Sequence, residues 1–110
     1  MRETQGQARR APTVHFDRRE LDRLLQLYGF FVASGDWKDY AIDDLPDRAV
    51  FSVFRRAAEM PLYRIEKNPK LRGRQGQWSV VSMGGQILKR GQELENVLKV
   101  FDSKKLKLVT

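Results

Sequence analysis

The chain has 110 residues, 41% of them hydrophobic and 32% charged, which is the size of one domain with apolar material for one core. It has no cysteine and a single histidine, which excludes a disulfide framework, a thiolate nucleophile, an iron–sulfur cluster and the usual zinc sites. The net charge of +7 points to anionic partners: RNA or DNA, an acidic protein, or anionic lipid.

The opening residues, "MRETQGQARRAPT", are polar and contain no apolar core, so no secretory signal is expected. Residues 1–12 are expected to form a disordered tail. A single α+β domain is expected over residues 13–102, followed by a basic C-terminal tail or edge strand over 103–110. No run of about 20 apolar residues exists to span a membrane, and the expected location is the cytoplasm.

The first helix is predicted from "HFDRRELDRLLQLYGFFVASG". Asp17 is placed as N-cap, with Glu20 three residues on as in a capping box, and Phe16 and Leu21 are spaced for a hydrophobic staple. Leu21, Leu24, Leu25, Tyr28, Phe31 and Val32 share one helical face, and Gly35 supplies the stop. Leu27 and Phe30 lie off that stripe. Either the helix is buried on two sides, or these two residues form an exposed patch for a protein partner or a second copy.

"WKDYAIDDLPDRAVFSVFRR" predicts a hairpin. Tyr40 and Ile42 alternate with Ala41 and Asp43, "DLPD" supplies the turn, and a second strand runs from about Ala49 to Arg55. If this strand pairs with the next, Arg55 is expected to share a face with Arg64. "PLYRIEK" predicts a third strand, "QWSVVSM" a fourth, and "QILKR" a short fifth after the turn signal Gly84-Gly85. "GQELENVLKVFD" predicts the last helix, with Leu94, Val97, Leu98 and Phe101 on one face and Lys99 near its end, where a cation suits the dipole. Short links make the sheet antiparallel, and two amphipathic helices must bury a face on it. The predicted fold is α+β in two layers: an N-terminal helix, an antiparallel sheet of four or five strands, and a C-terminal helix.

The stretches "HFDRRELDRLLQLYGFFVASGDWKDYAIDDLPDRAVFSVFRRAAEMPLYRIEKNPKL", "RQGQWSVV" and "GGQILKRGQEL" carry a resemblance. From about Thr13 to Asp102 the chain resembles a family of small alphaproteobacterial proteins classed as a domain of unknown function. The resemblance implies a bacterial, soluble, stand-alone domain and brings no functional residue with it.

The positive charge concentrates in the second half of the chain, most densely in "KNPKLRGRQGQW". Between two strands this stretch must turn, and Asn68-Pro69, Gly73 and Gly76 supply turn chemistry. The functional reading is a basic finger in which Lys67, Lys70, Arg72 and Arg74 contact phosphates while glycines let the backbone approach. Arg64, Lys89 and Arg90 would support it, and Trp78 or Tyr63 would stack on bases if exposed. The opposing reading is a solvated hairpin loop with Trp78 in the core.

Other chemistries find little footing. No Walker loop is present, and the aromatic strings of an RRM are missing. Asp36, Asp39, Asp43, Asp44 and Asp47 lack EF-hand spacing, so no metal is expected. His15 and the serines form no nucleophilic arrangement, and nothing sets the spacing of acid–base pairs such as Glu59 and Glu66. No catalytic residue and no cofactor are therefore expected. The leading expectation is a non-catalytic binding module for nucleic acid or a ribonucleoprotein. The alternative is a protein-interaction or assembly module using Leu27 and Phe30 or a sheet edge.

Overall fold

The structure, a computed structural model, describes residues 12–56 and 60–109. The tail expected over 1–12 therefore lies outside the described residues, except for exposed Pro12. Helix α1 spans Arg18–Ala33, and its capping box is complete. The Asp17 carboxylate accepts from the Glu20 N–H at 2.8 Å, and the Glu20 carboxylate accepts from the Asp17 N–H at 2.8 Å. Two of the helix's orphan donors are satisfied in this way. At the other end Gly35 adopts φ +87°, a left-handed conformation that stops the helix.

Five strands follow: β1 (Asp39–Asp44), β2 (Ala49–Phe54), β3 (Tyr63–Lys67), β4 (Trp78–Ser82) and β5 (Ile87–Gly91). They form one antiparallel sheet in the order β1-β2-β3-β4-β5, each strand beside its chain neighbours. Registered partners share a face. One row is Ile42–Phe51–Ile65–Val80, another is Ala49–Lys67–Trp78–Gly91, and a third is Tyr40–Val53–Tyr63–Ser82. These rows hold the sheet's share of the core. The opposite face carries the rows Asp43–Val50–Glu66–Ser79–Arg90 and Ala41–Ser52–Arg64–Val81–Ile87, and none of these residues joins the core cluster.

α1 lays Leu24, Leu27 and Phe31 on the core face, all three fully buried. The chain then doubles back. The Trp37 N–H donates to the Phe31 carbonyl, and the Trp37 ring stacks on Phe31 with centroids 4.4 Å apart. Phe101 meets both rings edge-on, at 6.1 and 5.6 Å, and Tyr63 meets Phe101 at 5.1 Å. Each such pair adds about 0.5–1.5 kcal/mol beyond area burial. Leu24, Leu27 and Phe31 thus form one buried stripe, and Leu27 contributes to no exposed patch. Leu27 is a core residue, and Phe30 is half-buried against Phe31. Val32, expected on the buried stripe, is instead exposed, because Trp37 packs on the Phe31 side of the helix.

The C-terminal part also departs from expectation. Helix α2 is short, Leu94–Leu98, and passes through a 3₁₀ turn (Lys99–Phe101) into helix α3, Asp102–Val109. The stretch expected as a basic tail or edge strand is helical, and Lys99 is the C-cap of α2, at the end of that helix as expected, although a 3₁₀ turn continues the run. The reason is tertiary. Buried Val97, Leu98 and Phe101 anchor the run, and its continuation carries Lys104 to 5.7 Å over the Tyr63 ring and Lys105 to 5.6 Å over Phe30. Lysine stems and heads cover aromatic faces favourably.

Candidate functional site

The β3–β4 loop, residues 68–77, is built as an ordered turn. The Asn68 N–H donates to the Gln77 carbonyl at 2.7 Å and closes its base. Pro69–Leu71 form one 3₁₀ turn, capped by the Asn68 side chain, which accepts from the Lys70 N–H. The N–H groups of Arg74, Gln75 and Gly76 all converge on the Leu71 carbonyl at 3.0–3.2 Å. Gly76 has φ +104°, and a β-carbon there would stand 2.7 Å from the Gly91 carbonyl carbon and oxygen. This glycine serves the packing of the loop against the end of β5.

The four cations of this stretch, Lys67 at the end of β3 and three in the loop, fall into two groups. Lys67 is occupied: its ammonium donates to the Glu20 carboxylate at 2.7 Å and to the His15 carbonyl at 3.0 Å, and its side chain is only 13% exposed. It ties the end of β3 to the capping box of α1. Lys70, Arg72 and Arg74 are exposed, and none has an acidic partner within ion-pair distance among the described residues. Arg72 makes one 3.3 Å hydrogen bond to the Gln77 side chain.

The supporting residues lie elsewhere. Arg64 donates to Glu66 at 3.1 Å on the face away from the helices, where Arg48 reaches the other oxygen of the same carboxylate at 2.8 Å. Arg48 also holds Asp47 at 3.0 Å. Its hydrogen bond keeps the Asp47 carboxyl below its ordinary pKa, and the charge of Lys70 adds a smaller pull the same way. Arg90 pairs with Ser79 on the Arg64 side of the sheet, whereas Lys89 pairs with Val80 on the helix side. Trp78 is buried at 2% exposure and stacks on Phe16 with centroids 6.0 Å apart, so it is no platform for a base. Tyr63 is half-buried beneath Lys104. The eight residues singled out in the sequence are therefore split between a loop, two faces and the core. Arg48 escaped notice because its partner Glu66 lies 18 residues further on, so the ion-pair chain joins the β1–β2 turn to β3 only once the sheet is assembled.

Arg55 does not share a face with Arg64. It lines a cleft with Phe31, Trp37 and Tyr63 on the helix side, since Arg64 pairs with Ser52 and Arg55, three residues past Ser52, alternates to the other face. The acidic set is dispersed. Asp44 accepts from or pairs with the His15 ring at 2.9 Å, Asp39 binds the Tyr40 N–H, and Asp47 holds Arg48. Among the described residues no three metal-ligating side chains are grouped to hold an ion, and no helix is long and apolar enough to cross a membrane.

Fold and site together define a small α+β domain with a one-sided meander sheet and an ordered basic loop. Residues 14–98 match the family described as "Protein of unknown function (DUF2794)", and the chain belongs to that family. No curated protein and no solved structure matches the chain.

Proposed function

We propose that the chain is a non-catalytic binding module that contacts the phosphates of nucleic acid, free or in a ribonucleoprotein, through the β3–β4 loop. The observation that carries this reading is the contrast among its cations. Arg23, Arg48, Arg64 and Lys67 are each neutralised by a carboxylate, while Lys70, Arg72 and Arg74 stand exposed on an ordered loop. An ordered loop loses little entropy on binding, and cations without a carboxylate in ion-pair contact keep their attraction for phosphates. Arg90 adds charge on the adjoining face. Nucleic acids are abundant polyanions of the cytoplasm, the location expected from the sequence.

The test is the affinity for mixed RNA and DNA oligonucleotides at two salt concentrations, beside the variant Lys70→Ala/Arg72→Ala/Arg74→Ala. Binding should fall steeply with salt. The variant should flatten the log–log salt slope by roughly 2, at about 0.7 per single-strand phosphate contact. Unchanged affinity in the variant, or no binding at low salt, rejects the reading.

A second reading has its own observation. β5 is an open edge of the sheet and carries exposed Ile87 and Leu88, so an added strand from a partner or a second copy would cover apolar surface. It requires a mass that rises with concentration or with the partner, and Leu88→Lys should abolish that rise.

A further inference from the structure

At the end of the sheet opposite the loop lies a cleft of about 260 Å³. Its walls are aromatic and aliphatic: Leu62 just before β3 and Tyr63 at its start, with the buried rings of Phe31 and Trp37. Its rim holds three cations from distant parts of the chain, Arg55 after β2 and Lys104 and Lys107 one helical turn apart on α3. One carboxylate, Asp36, also faces it. None of the three cations has an acidic partner within ion-pair distance among the described residues.

We propose that this cleft binds a small organic anion, a carboxylate or phosphate carried on one aromatic ring. Three like charges around one hollow repel each other, and an anion between them relieves that repulsion. The Lys104 ammonium already sits over the Tyr63 ring, so an anion paired with it is held beside an aromatic wall. The size fits as well. A cavity of about 150 Å³ accommodates benzene, and drug-sized ligands occupy about 300–1,000 Å³. The hollow here suits a single ring with its anionic group. Asp36 gives it an acceptor for a ligand hydroxyl or amino group and disfavours a second anion at that side. The inference is independent of the loop's role, because the cleft shares no residue with it.

Trp37 lines the cleft and Trp78 does not, so the variant Trp78→Phe leaves one reporter. Its fluorescence is titrated with phenyl phosphate, benzoate and inorganic phosphate. Phenyl phosphate or benzoate should saturate the signal at millimolar concentration or below, and inorganic phosphate should bind at least about tenfold more weakly. Lys104→Ala/Lys107→Ala, two exposed positions, should weaken the aromatic anion by about tenfold or more while the far-UV circular dichroism spectrum still shows a folded chain. Lys70→Ala/Arg72→Ala/Arg74→Ala should leave it unchanged. The proposal is overturned if neither aromatic probe saturates, if inorganic phosphate binds equally well, or if the α3 variant binds as the parent does. Isothermal titration of the parent chain with phenyl phosphate repeats the test without the Trp78 substitution, and absence of heat and saturation there also overturns it.

Discussion

The two ends of the sheet carry similar chemistry in opposite shapes. At the β3–β4 end Lys70, Arg72 and Arg74 project from a convex loop that hydrogen bonds hold from within. At the other end Arg55, Lys104 and Lys107 surround a hollow with aromatic walls. A convex row of cations meets an extended polyanion from outside, one phosphate per side chain. A ring of cations around a hollow suits an anion that enters it. On the two proposals, three cations at either end would meet different ligand geometries, according to whether backbone or side chains form the centre of the cluster.

The largest expected effect separates the ends through stability. Trp37→Ala removes the ring at the centre of the Phe31, Phe101 and Tyr63 contacts and should cost about 3–5 kcal/mol in denaturant unfolding. In the variant that remains folded, the cleft end should gain hydrogen exchange and the β3–β4 loop should keep its protection. Gly76→Ala acts at the other end. It forces a β-carbon into the Gly91 backbone at a positive φ and should cost about 2–3 kcal/mol, with chemical-shift changes confined to the loop and the end of β5. Equal disturbance of both ends by either substitution would erase the distinction.

Lys67→Met is next. It leaves Glu20 without its ammonium at the root of the loop and should cost about 1–2 kcal/mol, while the cleft stays intact by Trp37 fluorescence. The smallest effect is a pH dependence. The Asp47 carboxyl is held below its ordinary value by Arg48, so the stability it contributes is present above the usual carboxylate range and lost as pH falls through its folded pKa. Asp47→Asn should flatten the acid limb of the stability curve slightly, and a limb of unchanged slope would show that Asp47 does not contribute to it.

The parts of the fold legible in the sequence are those decided by near neighbours. The capping box needs Asp17 and Glu20 three residues apart, and both lie in one short string. The five strands follow from alternation and turn residues, since each pairs only with the next. α3 was illegible because "SKKLKLV" has strand-like alternation, while the helical run is anchored by tertiary contacts, above all Phe101 among Phe31, Trp37 and Tyr63. The position of Val32 was hidden for a similar reason, the return of Trp37 onto Phe31. Of the site, the loop cations were legible because they fall within a few residues. The separation of Arg64 from Lys67 could also have been deduced, as residues three apart in a strand face opposite sides. The cleft could not, because Arg55 and Lys107 meet only after the sheet and the last helix are assembled.

The neighbour-by-neighbour strand order has a consequence for how the chain folds. Each hairpin closes a short loop, so the sheet can form by successive local steps at small entropic cost. The ties of α1 are the reverse: Arg23 reaches Glu95 across 72 residues, and Glu20 reaches Lys67 across 47. Local pairing predicts that the hairpins form first and that α1, tied by contacts far apart in sequence, docks after them. Substitutions in the turns should therefore change the folding rate, and those on the buried face of α1 the unfolding rate.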